Sequence, residues 1–256
     1  MRAAYIEGHG GTEALLLGTF ADPIPQSGEV KIRLKACALN RLDIYLREGI
    51  RGTRRNTSEP LILGSDGAGI IEELGPEVKR HKPGDRVVIN PVITCGTCQF
   101  CLKGNDELCP TKSILGSLRH GCYAEFVTVP EANAVPIPEN LSFEEAASIP
   151  TAFMPVWRIV VTQGNLQPSE TALVLSASSG VGTAAIQICK GVIGARVIAT
   201  TSSESKGAMA KSIGADDVIN YTNEDITSRV AELTNGKGVN LVVDHVGSDF
   251  WAAASE

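Results

Sequence analysis

The sequence has no long hydrophobic run and no long block of one charge. Nowhere do about 18 apolar residues follow one another, which is the length that a membrane-spanning helix needs. The N-terminus also carries no apolar segment typical of a secretion signal. With 23 Lys and Arg against 29 Asp and Glu, the net charge is −6, which disfavours a surface for nucleic acids. We therefore expect a cytoplasmic protein that binds no membrane or nucleic acid and has a small-molecule substrate.

Histidine is scarce, and its placement disfavours a histidine-based metal site. The sequence has four histidines, and no two of them have the spacing of paired metal ligands. We expect all four to occupy loops or the surface: His9, His81, His120 and His245.

Cysteine is present in an odd number and is unevenly spread, which excludes an ordinary disulfide framework. Four of the seven cysteines fall between Cys95 and Cys109, and the other three stand alone in apolar surroundings. This distribution favours a reducing compartment and one metal cluster. We expect the isolated three to be small core residues: Cys37, Cys122 and Cys189.

The clustered cysteines follow a CxxCxxC pattern with a later fourth member: Cys95, Cys98, Cys101 and Cys109. Four thiolates with tight spacing and glycine turns suit a closed, tetrahedral zinc site that is structural rather than catalytic. An iron–sulfur cluster is the main alternative, although the last gap is longer here than in the ferredoxin pattern. The sequence predicts one structural zinc.

The hydrophobic pattern changes along the chain. Up to Pro138, short alternating apolar runs cut by Gly and Pro are typical of half-buried antiparallel strands in a barrel or sandwich. From Thr171 onward, strands and helices alternate, which predicts an α/β unit with a doubly wound parallel sheet. The predicted strands are 171–177, 195–200, 216–221 and 239–243, and the predicted helices are 181–192, 204–213 and 223–233.

Two helices carry further signals. A helix between the two halves is predicted to begin at Ser142, with Glu145 completing a capping box. The first helix after Thr171 places apolar residues on one face, which we expect to cover the sheet: Val181, Ala184, Ala185, Ile188 and Val192.

Small residues connect the first strand of the second half to its first helix. In the GxGxxG pattern, Ala177 and Ser179 take the first two glycine positions and Gly182 keeps the third. Such a turn brings backbone N–H groups and a helix N-terminus close to a pyrophosphate. The predicted cofactor contacts in this turn are Ser178, Ser179, Gly180, Val181 and Gly182.

The end of the second strand carries hydroxyl groups and a lysine where NAD-specific sites place a carboxylate. Thr201, Ser202 and Lys206 suit a 2′-phosphate, so we predict NADP(H), with NAD possible. Alternatively, Ser202 or Ser203 only caps the next helix and Lys206 is a surface charge.

Several segments, in this order, resemble the medium-chain dehydrogenase/reductase superfamily over essentially the whole chain. They are the cysteine lobe (92–112), Lys82-Pro-Gly-Asp-Arg-Val, Gly121-Cys-Tyr-Ala-Glu-Phe, and the glycine turn followed by Gly214-Ala-Asp. The resemblance implies a GroES-like domain over 1–138 and a Rossmann domain over 139–256. The latter is expected to be incomplete, because the chain stops at Trp251–Glu256, before two further strands. A full-length form is expected to be a homodimer or homotetramer.

The resemblance also locates the positions that bind catalytic zinc in alcohol dehydrogenases of this superfamily. They carry Asn40, Ser65 and the neighbourhood of Thr151 here, and amides and hydroxyls are poor zinc ligands. The segment from Asn40 to Gly49 instead resembles the zinc-independent quinone reductases, which implies catalytic roles for Asn40 and Tyr45. Lys206 and Tyr221 match NADPH contacts of that branch.

The leading hypothesis is hydride transfer from NADPH to a quinone or an α,β-unsaturated carbonyl. A carbonyl reductase or alcohol dehydrogenase of the zinc-type family is one alternative, and an NADP(H)-binding fragment with little activity is another. For the site itself, the alternative is that Asn40 fills a structural turn and Tyr45 packs under the cofactor.

Overall fold

The computed structural model describes residues 1–55 and 59–247, and the chain divides into two compact units. The first unit is Met1–Thr151, and the second begins at Ala152. The division falls after residue 151 rather than 138, because helix α2 (Phe143–Ala147) buries its alanines against Ala68 and Ile137 of the first unit. The terminal segment 251–256 lies outside the described residues.

The core of the first unit is a five-stranded antiparallel sheet, as the alternating pattern predicts. Its strands, in spatial order, are β10 (Ala134–Pro136), β6 (Arg86–Ile89), β5 (Asp66–Leu74), β3 (Glu29–Ala38) and β9 (Phe126–Pro130). A second sheet contains β2 (Leu16–Thr19), β1 (Arg2–Ile6) and β4 (Leu61–Ile62), and the cysteine lobe lies between β7 (Val92–Ile93) and β8 (Ser113–Ile114).

Strands β3 and β5 form the centre of this sheet and position the residues that follow them. Ala38, the last residue of β3, pairs with Asp66, the first residue of β5. Helix α1 (Arg41–Glu48) begins directly after β3, with Asn40 as its N-cap, and ends at Gly49 in the left-handed conformation. The sheet therefore brings the start of α1 next to the start of β5.

The second unit contains a four-stranded parallel sheet, which confirms the predicted fold class. The spatial order is β13 (Asp217–Asn220), β12 (Arg196–Thr201), β11 (Thr171–Val174) and β14 (Leu241–Val243). Helices α4 (Gly180–Gln187), α5 (Glu204–Ser212) and α6 (Ile226–Leu233) connect the strands, and α3 (Pro150–Trp157) precedes β11. No helix among the described residues is long and apolar enough to cross a membrane.

The predicted apolar face of the first connecting helix is correct over α4 but wrong at its end. Ala184, Ala185 and Ile188 are buried, whereas Val192 is 60% exposed. The chain continues from α4 as π-helix over Ile188–Ile193. Because a π-helical turn is wider than an α-helical one, the 3.6-residue period no longer applies there.

The predicted burial of the isolated cysteines is confirmed for two of the three. Cys122 and Cys189 are buried, but Cys37 is exposed. Cys37 lies on the outward-facing side of β3 with Arg33 and Lys35, because side chains alternate between the faces of a strand. Its apolar neighbours in sequence therefore belong to the opposite face.

A glycine in β5 allows the backbones of β5 and β3 to lie close together. A Cβ atom at Gly69 would lie 2.2 Å from the carbonyl oxygen of Arg33 in β3. We expect Gly69→Ala to lower the free energy of unfolding by about 1–3 kcal/mol through overpacking. Chemical denaturation would measure this, with Gly8→Ala as a control because no atom lies within 4 Å of its Cβ position. Equal stabilities of the two variants would show that the sheet adjusts without strain.

Candidate functional site

The four clustered cysteines converge in the lobe between β7 and β8. Their Sγ atoms all lie within 4.8 Å of one another. Three of the Sγ–Sγ distances are 3.5 Å (Cys98–Cys101), 3.7 Å (Cys109–Cys95) and 3.9 Å (Cys95–Cys101). A tetrahedral zinc with Zn–S bonds of about 2.3 Å separates its sulfur ligands by about 3.8 Å. The cluster therefore fits one zinc, and it is the one such group of three or more ligand side chains among the described residues.

Backbone N–H groups lower the pKa of one of these thiols, that of Cys95. The backbone N–H groups of Thr97 and Cys98 face the Cys95 sulfur and lower the pKa of its thiol to about 6. Gly104, in the left-handed conformation, ends a short 3₁₀ turn over Cys101–Lys103. Thiolates, rather than thiols, bind zinc, so this environment favours the ligand form of Cys95, whereas burial and the Cys98 and Cys109 thiols raise the pKa of Cys101.

The predicted cofactor turn connects β11 to α4 through a strained backbone. Ser176 has φ of 49°, which is unusual for a residue other than glycine. Its carbonyl oxygen accepts hydrogen bonds from the Ser179 N–H (3.0 Å) and hydroxyl (2.9 Å), while its own N–H donates to Thr200 Oγ1 (3.1 Å). The turn is thus held from both sides, as a preorganised binding loop requires.

Four of the five predicted contacts in this turn, residues 179–182, form the N-terminus of α4. Ser179 is the N-cap, and its hydroxyl accepts from the N–H of Gly182 at 2.9 Å. A Cβ at Gly182 would lie 2.4 Å from the Ser176 carbonyl oxygen, so the third glycine position is needed for close helix–strand packing. Gly180 is exposed, whereas Ser178 and Val181 are half-buried.

His245 joins this turn, which the sequence did not indicate. Its Nε2 lies 2.7 Å from the Ser179 hydroxyl, while its Nδ1 is buried without a hydrogen-bond partner. Burial lowers the pKa of the imidazole, and the neighbouring Asp244 opposes that shift. A neutral imidazole therefore supports the Ser179 cap.

The residues at the end of β12 lie together in the second unit. The Lys206 ammonium donates to Ser202 Oγ at 2.9 Å, and Ser203 caps α5 by accepting from the Lys206 N–H. Thr201 is buried at the strand end, and Tyr221, after β13, packs on the hydrophobic cluster around Ile219. A groove of about 480 Å³ opens beside Thr201 and Ser203.

In the first unit, Asn40 bridges two buried carboxylates. Its backbone N–H donates to Asp43 Oδ2 at 2.7 Å, and its side-chain amide donates to Asp66 Oδ2 at 3.0 Å. The hydroxyl and the N–H of Thr151 donate to Asp66 Oδ1 at 2.7 and 3.1 Å. Tyr123 donates its hydroxyl to Asp43 Oδ2 at 2.8 Å.

A cavity of about 340 Å³ adjoins this network. Asn40, Asp43 and Tyr123 line it together with apolar side chains such as Leu39 and Leu63. Burial raises the pKa of both Asp43 and Asp66, as well as that of Tyr123. The cavity thus combines this polar network with apolar side chains and with the charged Arg41 and Arg47, and small-molecule sites commonly place a few polar groups among apolar ones.

Tyr45, the second predicted catalytic residue, lies on α1 but outside this network. Its ring contacts the Arg51 guanidinium at 5.1 Å, and it is not among the residues that line the cavity. Tyr123 is the tyrosine that joins Asn40. It stands in the segment Gly121–Phe126, which carried the family resemblance but gave no sign of a side-chain role.

The residues at the catalytic-zinc positions do not fit a zinc ion. Asn40 and Thr151 meet at Asp66, whereas the Ser65 hydroxyl donates to the Leu115 carbonyl oxygen at 3.0 Å. The set therefore offers one carboxylate, already engaged by an amide and a hydroxyl, in place of thiolate and imidazole ligands.

Comparisons with known proteins match both halves of the chain. Residues 26–139 match the alcohol dehydrogenase GroES-like domain, and residues 180–256 match the zinc-binding dehydrogenase domain. A solved structure described as an NAD-dependent alcohol dehydrogenase is 48% identical, with a TM-score of 0.94 over 99% of this chain and 73% of that one. The chain belongs to the medium-chain dehydrogenase/reductase superfamily.

Relatives of this chain come from two branches of the superfamily. An NAD-dependent alcohol dehydrogenase of Sulfurisphaera tokodaii is 37% identical and matches 87% of this chain. A quinone oxidoreductase of Escherichia coli, solved with NADPH, is 31% identical, with a TM-score of 0.81 over 98% of this chain and 68% of that one. The matched region spans 65% of the length of the Sulfurisphaera relative.

Metal content tests the cysteine site. We expect the purified protein to hold about one zinc per chain, and Cys98→Ser to lose most of it together with thermal stability, because metal binding contributes to folding. Cys37→Ser, an exposed cysteine outside the cluster, should keep its zinc. Elemental analysis measures both, and two zinc ions per wild-type chain would contradict the interpretation of Asn40, Asp66 and Thr151.

The buried imidazole of His245 makes stability depend on pH. Because its pKa is lowered in the folded protein, the unfolded chain binds a proton first as the pH falls below about 6.5. His245 should therefore lower stability between about pH 6.5 and its folded pKa. We expect His245→Gln to show a shallower loss of stability on acidification in denaturant titrations at pH 7.5, 6.5 and 5.5. If the slope of stability against pH were the same in the variant and the wild type, a group other than His245 would be responsible for the loss.

Proposed function

We propose that this protein is an NADPH-dependent oxidoreductase that transfers hydride to an activated acceptor, either a quinone or an α,β-unsaturated carbonyl. The observation that carries this proposal is the network at Asn40, where an amide and the Thr151 hydroxyl stand at positions that bind metal in zinc alcohol dehydrogenases. The cofactor, when bound, supplies the hydride. The chain itself positions the acceptor and stabilises the developing charge, and the resulting enolate or phenolate then takes a proton from water.

The chemistry of the acceptor agrees with the side chains at the cavity. Hydride addition to an enone or a quinone spreads negative charge into an enolate or phenolate, which hydrogen-bond donors stabilise. Asn40 has a second amide hydrogen besides the one donated to Asp66, and we assign it to the acceptor oxygen. The apolar side chains at the cavity, including Leu39 and Leu63, suit the carbon skeleton of such acceptors.

The residues at the end of β12 support NADPH as the cofactor. Ser202 and Lys206 are hydrogen-bonded to each other, and together they offer a hydroxyl and an ammonium to a 2′-phosphate. No Asp or Glu stands at positions 201–203, where a carboxylate would bind the ribose of NAD. The NADPH complex of the Escherichia coli quinone oxidoreductase supports the same choice.

An NAD-dependent alcohol dehydrogenase is the second candidate. The relatives with this name support it, including one with 48% identity. It would require the site at Asn40 to polarise an unconjugated carbonyl or alcohol by hydrogen bonds alone.

Steady-state assays distinguish these functions. We expect NADPH oxidation with quinones and enones, slower turnover with simple ketones or NADH, and a loss of about 100-fold in kcat/KM for Asn40→Ala, as for removal of an oxyanion donor. Tyr123→Phe and Tyr45→Phe report which tyrosine contributes. Asn140→Ala, at an exposed position, serves as the control. Preference for NAD and alcohols, or full activity of Asn40→Ala, would reject the proposal.

A further inference from the structure

Asp66 is a carboxylate almost fully enclosed by protein. It is 1% exposed at the start of β5, and within the described part of the chain it accepts hydrogen bonds from two residues, Asn40 and Thr151. None of the ion pairs among residues 1–55 and 59–247 involves it. Burying a charge without a cation is costly, so a carboxylate at this point is not explained by stability.

The chemistry of a carboxylate determines how the Asn40 amide is oriented. An ionised carboxylate only accepts hydrogen bonds, so the amide must direct its NH₂ group, and not its carbonyl oxygen, toward Asp66. The backbone of Asn40 is fixed independently, because its N–H donates to Asp43 Oδ2 at 2.7 Å. With the backbone of Asn40 and one hydrogen of its side-chain amide both fixed, the remaining amide N–H points in one defined direction.

Thr151 fixes Asp66 in turn. Its backbone N–H and its hydroxyl both donate to Asp66 Oδ1, which leaves Oδ2 for the Asn40 amide. The hydroxyl bond, at 2.7 Å, has the ordinary length of an O–H···O hydrogen bond. A residue 85 positions away in sequence thereby determines which carboxylate oxygen faces Asn40.

We propose that Asp66 is a positioning residue, which orients the Asn40 amide as a hydrogen-bond donor to the acceptor oxygen, and that Thr151 holds Asp66 in place. This role rests on the proposed function, because it acts through the Asn40 side chain. Asp66 itself transfers no proton and contacts no substrate.

A double-mutant cycle tests this role. An asparagine at position 66 can donate as well as accept, so it no longer dictates the orientation of Asn40. We expect Asp66→Asn to lower kcat at least tenfold with acceptor KM within about threefold, because the interaction acts mainly in the transition state. In the Asn40→Ala background, the same substitution should change kcat by less than about twofold, since residues that act as a unit are not additive.

Matched variants separate positioning from structural damage. Glu73→Gln, on the exposed side of the same strand, should leave kcat unchanged. Thr151→Val should lower kcat by an intermediate factor, and Thr151→Ser should restore it because the hydroxyl donor returns. NADPH affinity and the melting temperature, measured for each variant, should stay near the wild-type values.

The outcomes distinguish the two proposals. If the wild type is active and the losses from Asp66→Asn and Asn40→Ala multiply, Asp66 acts independently of Asn40 and this inference is wrong, while the proposed function stands. A wild type that reduces no quinone or enone overturns the proposed function and, with it, this role of Asp66.

Discussion

The pairing of β3 with β5 is the constraint on which the site of the first unit depends. It sets Ala38 opposite Asp66, and the chain then enters α1 at Asn40. A shift of one residue in this register would turn the side chain of Asp66 to the other face of the sheet. Gly69 permits the close approach of the two backbones farther along the same pair of strands. The sheet therefore supplies geometry that no local sequence feature of α1 could supply.

The same register explains why hydrogen bonds to Asp66 can take the place of metal coordination at this site. Asn40 and Thr151 reach a single carboxylate from α1 and from the end of the first unit. Each donor satisfies part of the hydrogen-bonding capacity of the carboxylate, although no neutral donor offsets the full cost of burying its charge. A metal would require the reverse arrangement, with anionic or imidazole ligands around a cation.

Much of the fold was predictable because its signals are periodic and local. The alternation of strands and helices after Thr171 and the capping box at Ser142 depend on neighbours within a few residues. The cysteine cluster was equally accessible, since its spacing alone carries the chemistry. The exposure of Val192 was not, because the change to π-helix after Gln187 leaves no mark in the apolar pattern.

The polar network was largely invisible in the sequence. Thr151 and Asp66 are separated by 85 positions, and neither stands in a sequence motif from which the other could be identified as its hydrogen-bond partner. The choice of Tyr45 came from the resemblance of the segment Asn40 to Gly49 to quinone reductases, whereas Tyr123 reaches Asp43 across 80 positions. Long-range contacts of this kind depend on strand register. The hydrophobic pattern indicates which face of the sheet a residue occupies, but not which residue lies opposite it on the next strand.

The zinc lobe has a consequence for the order of events during synthesis of the chain. All of its ligands lie between Cys95 and Cys109, and closing so short a loop carries a small entropic cost and takes well under a microsecond. The lobe can therefore acquire its metal before β9 has emerged to complete the central sheet. A metal bound at that stage would make this hairpin a rigid piece before the rest of the first unit folds.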